Sequence, residues 1–264
     1  MGAKSKIALF QLQNLFPSYS FVKIRATSSG IIDTTYIVYT KDDSYILKKY
    51  ERDISKKIAF DTKLLKTLKA SSLNVPLMLE KNDGWYIYER LKGKEPKNVQ
   101  TYHLRAVARF LSQMHLLSSK SRCKLKSSLE SDIKEALCFT KKNYFSYYKK
   151  FEFLKDFRVK NEGIIHGDLF KDNTVFDGTK LGVFDFIDAM CGSFVFDLAI
   201  ALVGFDVKAD NDYAINIFLN SYNQRATRKI DKKTLKKQIK YASHFYALKR
   251  VYEYKNTNKA RELL

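Results

Sequence analysis

The chain has 264 residues, of which 45% are hydrophobic and 14% aromatic, and this composition excludes an intrinsically disordered protein. Lys and Arg outnumber Asp and Glu by 48 to 28, giving a formal charge of +20, but the lysines are spread along the chain and form no single basic arm. The spread of the charge therefore favours a solvated, lysine-rich surface over a nucleic-acid-binding surface. Either kind of surface would attract anionic substrates.

The longest apolar run extends from Phe194 to Phe205, is too short to span a bilayer and contains Asp197. The three cysteines show no metal-ligand spacing, and the first residues do not have the pattern of a signal peptide. We therefore expect no transmembrane segment and predict a cytoplasmic location.

The first ninety residues favour strands. Four short segments rich in β-branched and aromatic residues are bounded by Ser, Gly, Asp or Asn: "SFVKIRA", "TTYIVYT", "SYILKKY" and "GWYIYER". Between the third and the fourth, residues 53–72 place apolar side chains near helical spacing. This part predicts a small antiparallel sheet with one inserted helix.

After residue 100 the apolar period becomes helical. The helical segments begin with "TYHLRAVARFLSQMHLLS" and "LESDIKEALCFTKKNYFSYYKKF" and end with "KKTLKKQIKYASHFYALKRVYEYK", which Asp231 is expected to cap. The Gly and Pro of "KGKEPKN" mark a connection before these helices. The sequence thus predicts an α+β fold with an N-terminal lobe (1–91), a connection (92–100) and a larger, mostly helical C-terminal lobe (101–264).

A cluster of polar residues interrupts the apolar pattern in "IIHGDLFKDNTVFDG", from Ile164 to Gly178. Asp168 and Asn173 lie five residues apart on a predicted loop, and Asp185 ends the second strand of a predicted hairpin. The hairpin can bring an amide oxygen and a carboxylate to one end, and such hard oxygen ligands suit Mg²⁺ bound to phosphates. A plain turn cluster with Asx hydrogen bonds is the alternative.

A metal site of oxygen ligands next to a further carboxylate, Asp168, is typical of phosphoryl transfer. In that reaction the enzyme positions the acceptor and neutralises charge. At this point the sequence resembles a known family. The motifs "HGDLFKDN", "FDF" and "FDLAIAL" are similar to those of the aminoglycoside phosphotransferase and choline kinase-like superfamily, and within it most similar to the homoserine kinases of that fold. The resemblance implies a two-lobed, protein-kinase-like fold.

The resemblance also implies roles for the clustered residues. Asp168 would orient the acceptor hydroxyl and accept its proton, and Asn173 and Asp185 would hold Mg²⁺ on the phosphates of ATP. His166 and Asp197 would hold the catalytic loop in place without contacting the substrates. Asp188 is either a partner for a substrate ammonium or a solvated carboxylate.

Further positions would bind the nucleotide. "GIIDTTYIV", which begins at Gly30, resembles the hairpin that covers ATP in the homoserine kinases. Lys48 matches the strand lysine that holds the phosphates, with Lys49 as the alternative and Asp61 as the expected acidic partner. Backbone groups around Glu89 to Leu91 would meet adenine.

The resulting hypothesis is an ATP- and Mg²⁺-dependent O-kinase that phosphorylates a small hydroxyl acceptor. Homoserine is the favoured acceptor, and choline, ethanolamine and an aminoglycoside are the alternatives. A non-catalytic nucleic-acid-binding protein is the alternative from another class, but it would not need Asp168, Asn173 and Asp185 together. No membrane partner is expected, and a homo-oligomer is allowed.

Overall fold

The chain folds into two compact units, the first formed by Met1–Glu95 with Thr174–Ile187 and the second by Pro96–Asn173 with Asp188–Leu264. The predicted lobe boundaries at 91 and 101 stay a prediction. The structure, a computed structural model, describes residues 4–27, 32–119, 127, 129–158, 160–255 and 257–263.

A five-stranded antiparallel sheet forms the centre of the first unit. Its strands are β1 (Lys23–Ala26), β2 (Thr34–Tyr39), β3 (Ser44–Lys49), β4 (Met78–Asn82) and β5 (Trp85–Glu89), in the spatial order β1-β2-β3-β5-β4. The turn between β4 and β5 is "Asp-Gly", and both residues have positive φ, the conformation that two-residue hairpin turns require.

Two helices accompany the sheet. Helix α1 (Leu9–Leu15) packs its buried Leu12 on the core side chains of β2, β3 and β5, including Val38, Leu47 and Ile87. Helix α2 (Ser55–Ala70) is the predicted insertion between β3 and β4, and it buries its leucines at helical spacing. The predicted antiparallel sheet with an inserted helix is therefore confirmed.

The second unit is mostly helical, as predicted. A short antiparallel pair, β6 (Gly163–Ile165) with β9 (Met190–Gly192), precedes and follows the polar cluster. Helix α8 begins where predicted, since the Asp231 carboxylate accepts a hydrogen bond from Thr234 N at 2.8 Å. The helices are α3 (Thr101–Ser119), α4 (Leu129–Asn143), α5 (Phe145–Phe151), α6 (Phe194–Gly204), α7 (Asp212–Asn223), α8 (Lys232–Tyr254) and α9 (Thr257–Arg261).

The hairpin of β7 (Thr174–Asp177) and β8 (Lys180–Val183) belongs to the first unit, although second-unit segments flank it in the sequence. Phe176 exchanges both backbone hydrogen bonds with Lys94, at 2.9 and 3.0 Å. Gly93 permits this approach, because a Cβ there would stand 2.5 Å from the Phe176 backbone. The hairpin was predicted, but its membership of the first unit was not.

Three local features were not predicted. The segment 129–151 was predicted to be helical, and it divides into two helices, α4 and α5, at Tyr144, whose φ of −146° is not helical. Helix α1 and strand β4 were not predicted, because their short sequences show little periodicity.

No helix within the described ranges is both long and apolar enough to cross a membrane.

Candidate active site

The loop from His166 to Asn173 follows β6 in the second unit and carries most of the predicted catalytic residues. Gly167 has a φ of +76°, a conformation that glycine adopts without strain. The backbone N–H groups of His166 and Gly167 donate to the two carboxylate oxygens of Asp197, at 3.0 and 2.9 Å. Asp197, from α6, therefore fixes the backbone just before Asp168.

Asp197 is completely buried, and so is its third partner, His115 of α3. A carboxylate can only accept, so His115 Nε2 donates to Asp197 at 3.0 Å, while Nδ1 lies 2.9 Å from the Tyr222 hydroxyl. Burial opposes ionisation of Asp197, but the hydrogen bond and charge of His115 and the Gly167 N–H outweigh it and lower its pKa. The bond from His115 joins residues 82 positions apart, and no sequence motif indicates it.

Replacement of Asp197 by Asn tests this network. At neutral pH we expect Asp197→Asn to lose about 2–3 kcal/mol of unfolding free energy, because the buried donors lose a charged acceptor. The folded pKa of Asp197 lies below its ordinary 3.8, so its contribution is complete above that value and is lost as the pH falls through the folded pKa. Melting temperatures measured from pH 7 downward should therefore converge for wild type and variant in acid. A constant difference would contradict the pKa assignment.

Asp168 is half-buried and receives hydrogen bonds on both carboxylate oxygens. Asn173 Nδ2 donates to Oδ2 at 3.3 Å and, more closely, to the Asp168 backbone carbonyl at 2.8 Å. The Tyr246 hydroxyl of α8 lies 3.0 Å from Oδ1. Because Asn173 uses its amide nitrogen for Asp168, its amide oxygen stays available as a ligand for a cation.

In the first unit, Lys48 and Asp185 form a close ion pair, with Nζ 2.7 Å from Oδ1. The Asp185 side chain keeps 33% of its surface exposed, whereas that of Lys48 keeps 12%. Asp185 lies two residues beyond β8 with a φ of +66°, an uncommon conformation for a residue with a side chain. A carboxylate held in this way faces a cationic group and is still accessible to a ligand.

Strand alternation separates Lys48 from the alternative, Lys49. Neighbouring side chains of a strand point to opposite faces of the sheet. Lys49 Nζ accordingly lies over the Trp85 ring, 5.2 Å from its centroid, whereas Lys48 pairs with Asp185 and also lies 4.9 Å from the Tyr50 ring centroid. Of the two lysines, Lys48 is the one that pairs with Asp185, and its role in binding phosphates stays a prediction.

Tyr50, which is half-buried, lies beside Lys48 of this ion pair and contacts the buried Tyr88. The hydroxyls of Tyr50 and Tyr88 are 3.0 Å apart. Burial raises the pKa of both tyrosines, and the negative charges of Asp61 and Asp185 add to the effect. Asp61 is buried on α2, and its pairing with Lys48 stays a prediction.

The remaining nucleotide-binding predictions concern a glycine and the end of β5. Glu89 uses its carboxylate within the unit, accepting from Lys69 Nζ at 2.6 Å and from Leu77 N at 3.1 Å. Its own N–H donates to the Leu77 carbonyl at 3.0 Å. Leu91 follows in the same segment, half-buried. Gly30 lies outside the described residues.

Asp188 returns the chain to the second unit and is half-buried. Its backbone carbonyl lies 3.6 Å from the point where a Cβ on Gly167 would stand, and its charge contributes to the raised pKa of Tyr246. Asp188 is thus near the segment that holds Asp168. Tyr246 itself was missed by sequence analysis, since it is one of seventeen tyrosines and belongs to no motif.

Two oxygen donors among the described residues are of the kind that magnesium binds. Within the described part of the chain, no three His, Cys, Asp or Glu side chains form a metal-binding group. Mg²⁺ typically keeps several waters and binds through one or two carboxylates together with substrate phosphates. Asp185 in the first unit offers one accessible carboxylate and Asn173 in the second unit offers one amide oxygen. That both hold one ion stays a prediction.

Comparison with solved structures identifies the class of protein. A choline kinase of Cryptosporidium parvum superimposes with a TM-score of 0.70 at 13% identity, covering 91% of this chain and 86% of the other. A macrolide 2′-phosphotransferase of Brachybacterium faecium gives 0.68 at 14% identity, covering 97% of each chain. The fold is that of the protein-kinase-like phosphotransferases.

The family follows from sequence comparison. A profile of the phosphotransferase enzyme family matches residues 23–229, and the chain belongs to this family. It is 24% identical over 248 residues to a homoserine kinase of Methylobacillus flagellatus, covering 84% of this chain and 78% of the relative. It is 26% identical over 241 residues to one of Agrobacterium fabrum, covering 81% and 75%. The resemblance found in the motifs is confirmed.

Proposed function

We propose that the protein is an ATP- and Mg²⁺-dependent kinase that phosphorylates the hydroxyl group of homoserine. The observation that carries the proposal is the arrangement of the His166–Asn173 loop, in which donors hold both oxygens of Asp168 and leave the Asn173 amide oxygen available. The curated homoserine kinases that match most of the chain support the choice of acceptor.

In the proposed reaction, the acceptor oxygen forms a bond to the γ-phosphorus of ATP while the bond from that phosphorus to the β-phosphate oxygen breaks. Asp168 orients the attacking hydroxyl and accepts its proton. Lys48 exchanges its pairing with Asp185 for the α- and β-phosphates. His166 and Asp197 keep the loop backbone in place, so that the carboxylate of Asp168 is positioned before the substrates arrive.

Asn173 and Asp185 are the residues that would hold magnesium, through an amide oxygen and a carboxylate. The ion would neutralise charge on the phosphates as the transfer proceeds. Asp61, Gly30 and the backbone from Glu89 to Leu91 are proposed for nucleotide binding on the strength of the sequence motifs.

Homoserine carries an ammonium and a carboxylate besides its hydroxyl, so its site needs groups of both charges. We assign the ammonium to Asp188, which lies near the segment that holds Asp168. A choline-like acceptor would instead require an aromatic cage around a quaternary ammonium. A cytoplasmic location and a homo-oligomeric state stay predictions.

Steady-state ADP release in the presence of Mg·ATP tests the acceptor, with homoserine, choline, ethanolamine and an aminoglycoside compared side by side. We expect kcat/KM for homoserine to exceed the others by at least about 100-fold, because a site built to pair charged groups strongly rejects acceptors that lack them. Asp188→Asn should raise KM for homoserine with little change in KM for ATP.

Selective turnover of choline or of the aminoglycoside would keep the reaction and replace the acceptor. Absence of turnover with all four, in protein that binds Mg·ATP, would place the acceptor outside these classes. Nucleic-acid binding with a steep salt dependence, unchanged when Asp168 is replaced, would favour the non-catalytic alternative.

A further inference from the structure

Tyr246 is the residue of α8 that reaches the loop carrying Asp168. Its hydroxyl lies 2.6 Å from the Gly167 carbonyl oxygen and 3.0 Å from Asp168 Oδ1. A phenol has one proton, so these two acceptors share it in a three-centre hydrogen bond. One side chain thereby connects the backbone of the loop with the carboxylate at its end.

The chemistry of the site keeps this phenol a donor. Tyr246 is buried, and its pKa is raised well above the ordinary value of 10.0, first by burial and then by the charge and hydrogen bond of Asp168. The phenol therefore stays protonated at neutral pH. It donates to Asp168 and does not compete with it for the proton of a substrate.

Aromatic packing fixes the position of the Tyr246 ring. Phe170 meets it edge-on, with centroids 4.6 Å apart and an interplanar angle of 61°. Phe245 makes a similar contact at 5.1 Å and 79°. Such edge-to-face pairs restrain both rings. Phe170 is the aromatic residue that follows "HGDL", so the loop itself supplies part of the surface that positions its partner.

Each carboxylate oxygen of Asp168 thus accepts a hydrogen bond from a different residue. Tyr246 approaches Oδ1, while Asn173 Nδ2 approaches Oδ2 at 3.3 Å. Of these two bonds to the carboxylate, the one from Tyr246 is the shorter. Gly167 offers the phenol a second acceptor once Asp168 has taken a proton, so the buried hydroxyl is never left without a partner.

We propose that Tyr246 is a positioning residue that sets the orientation of the Asp168 carboxylate for proton transfer. The inference rests on the proposed role of Asp168 as the acceptor of the substrate proton. It predicts an effect on the chemical step and little effect on substrate binding, because Tyr246 is buried and touches Asp168 rather than a substrate.

The test replaces Tyr246 by Phe and measures kcat and both KM values, using the acceptor that the wild type turns over. We expect kcat to fall about 10- to 100-fold, with KM for ATP and for the acceptor within about 3-fold of wild type, because one charge-assisted hydrogen bond is removed. Tyr241→Phe is the matched control. It removes a phenol from the same helix, where Tyr241 packs on Phe153 and Phe157, and should leave kcat unchanged.

Asp168→Asn and Phe170→Leu complete the experiment. A Tyr246→Phe variant with kcat within about 2-fold of wild type, measured beside an inactive Asp168→Asn variant, would overturn the inference and leave the proposed function standing. An active Asp168→Asn variant would instead overturn the proposed role of Asp168. If Tyr246→Phe fails to fold, Phe170→Leu decides: a lower kcat at unchanged KM supports the inference, and an unchanged kcat overturns it.

Discussion

Replacing Asp168 by Asn is expected to lower kcat about 1,000-fold while ATP still binds, because the amide cannot accept the proton of the attacking hydroxyl. Asn has nearly the same shape as Asp, so the hydrogen bond from Asn173 to the Asp168 backbone carbonyl is retained. Phosphorylated product should be measured in single turnover, with binding of Mg·ATP titrated separately. These two measurements separate a loss of chemistry from a loss of substrate.

Asp172→Asn is the matched control for this variant. Asp172 is an exposed carboxylate on the same loop, one residue before Asn173, and it has no proposed role in the reaction. Its kcat should stay within about 3-fold of wild type, as expected for a surface substitution. Equal losses in the two variants would mean that the loop is sensitive to charge in general, and they would remove the assignment of Asp168.

The second large effect is expected for Asp185→Ala, which should abolish turnover at physiological magnesium. The variant removes the only carboxylate among the proposed magnesium ligands and leaves Lys48 without its ion-pair partner. The fold should persist, because a partly exposed ion pair contributes about 0–1 kcal/mol and an Ala at positive φ costs about 1–2 kcal/mol. Both are small against a typical stability of about 5–15 kcal/mol.

A magnesium titration checks this expectation. If Asp185 is a ligand, activity of the variant should stay negligible or return only at much higher Mg²⁺, whereas Asp177→Ala should follow the wild-type curve. Asp177 is an exposed carboxylate on the same hairpin and is therefore the matched control. Wild-type activity of Asp185→Ala at the ordinary magnesium concentration would eliminate Asp185 as a ligand.

Much of the loop could be predicted because its chemistry is local in sequence. Asp168 and Asn173 are five residues apart, and their hydrogen bonds arise within a single turn of the chain. The sheet was equally accessible, since β2 and β3 are rich in β-branched and aromatic residues. Hydrophobic periodicity and sequence motifs suffice to predict a contact when the interacting groups are near neighbours along the chain.

The long-range partners could not be predicted in the same way. Tyr246 lies 78 residues after Asp168, and His115 lies 82 residues before Asp197. Which tyrosine of α8 faces the loop depends on how that helix packs on α6, and an amphipathic pattern does not specify a partner. The division of 129–151 into α4 and α5 has the same origin, because packing overrides helix propensity at Tyr144.

The β7–β8 hairpin has a consequence for synthesis of the protein on the ribosome. The first 95 residues of the nascent chain emerge long before this hairpin, which supplies partners for the Lys94 backbone and for Asn74, whose carbonyl accepts from Val183 N at 3.0 Å. The first unit therefore completes its hydrogen bonds only after residue 187 has been translated. A truncated messenger ending near residue 95 would yield a fragment without the hairpin, and a reporter of co-translational folding should show this unit maturing late.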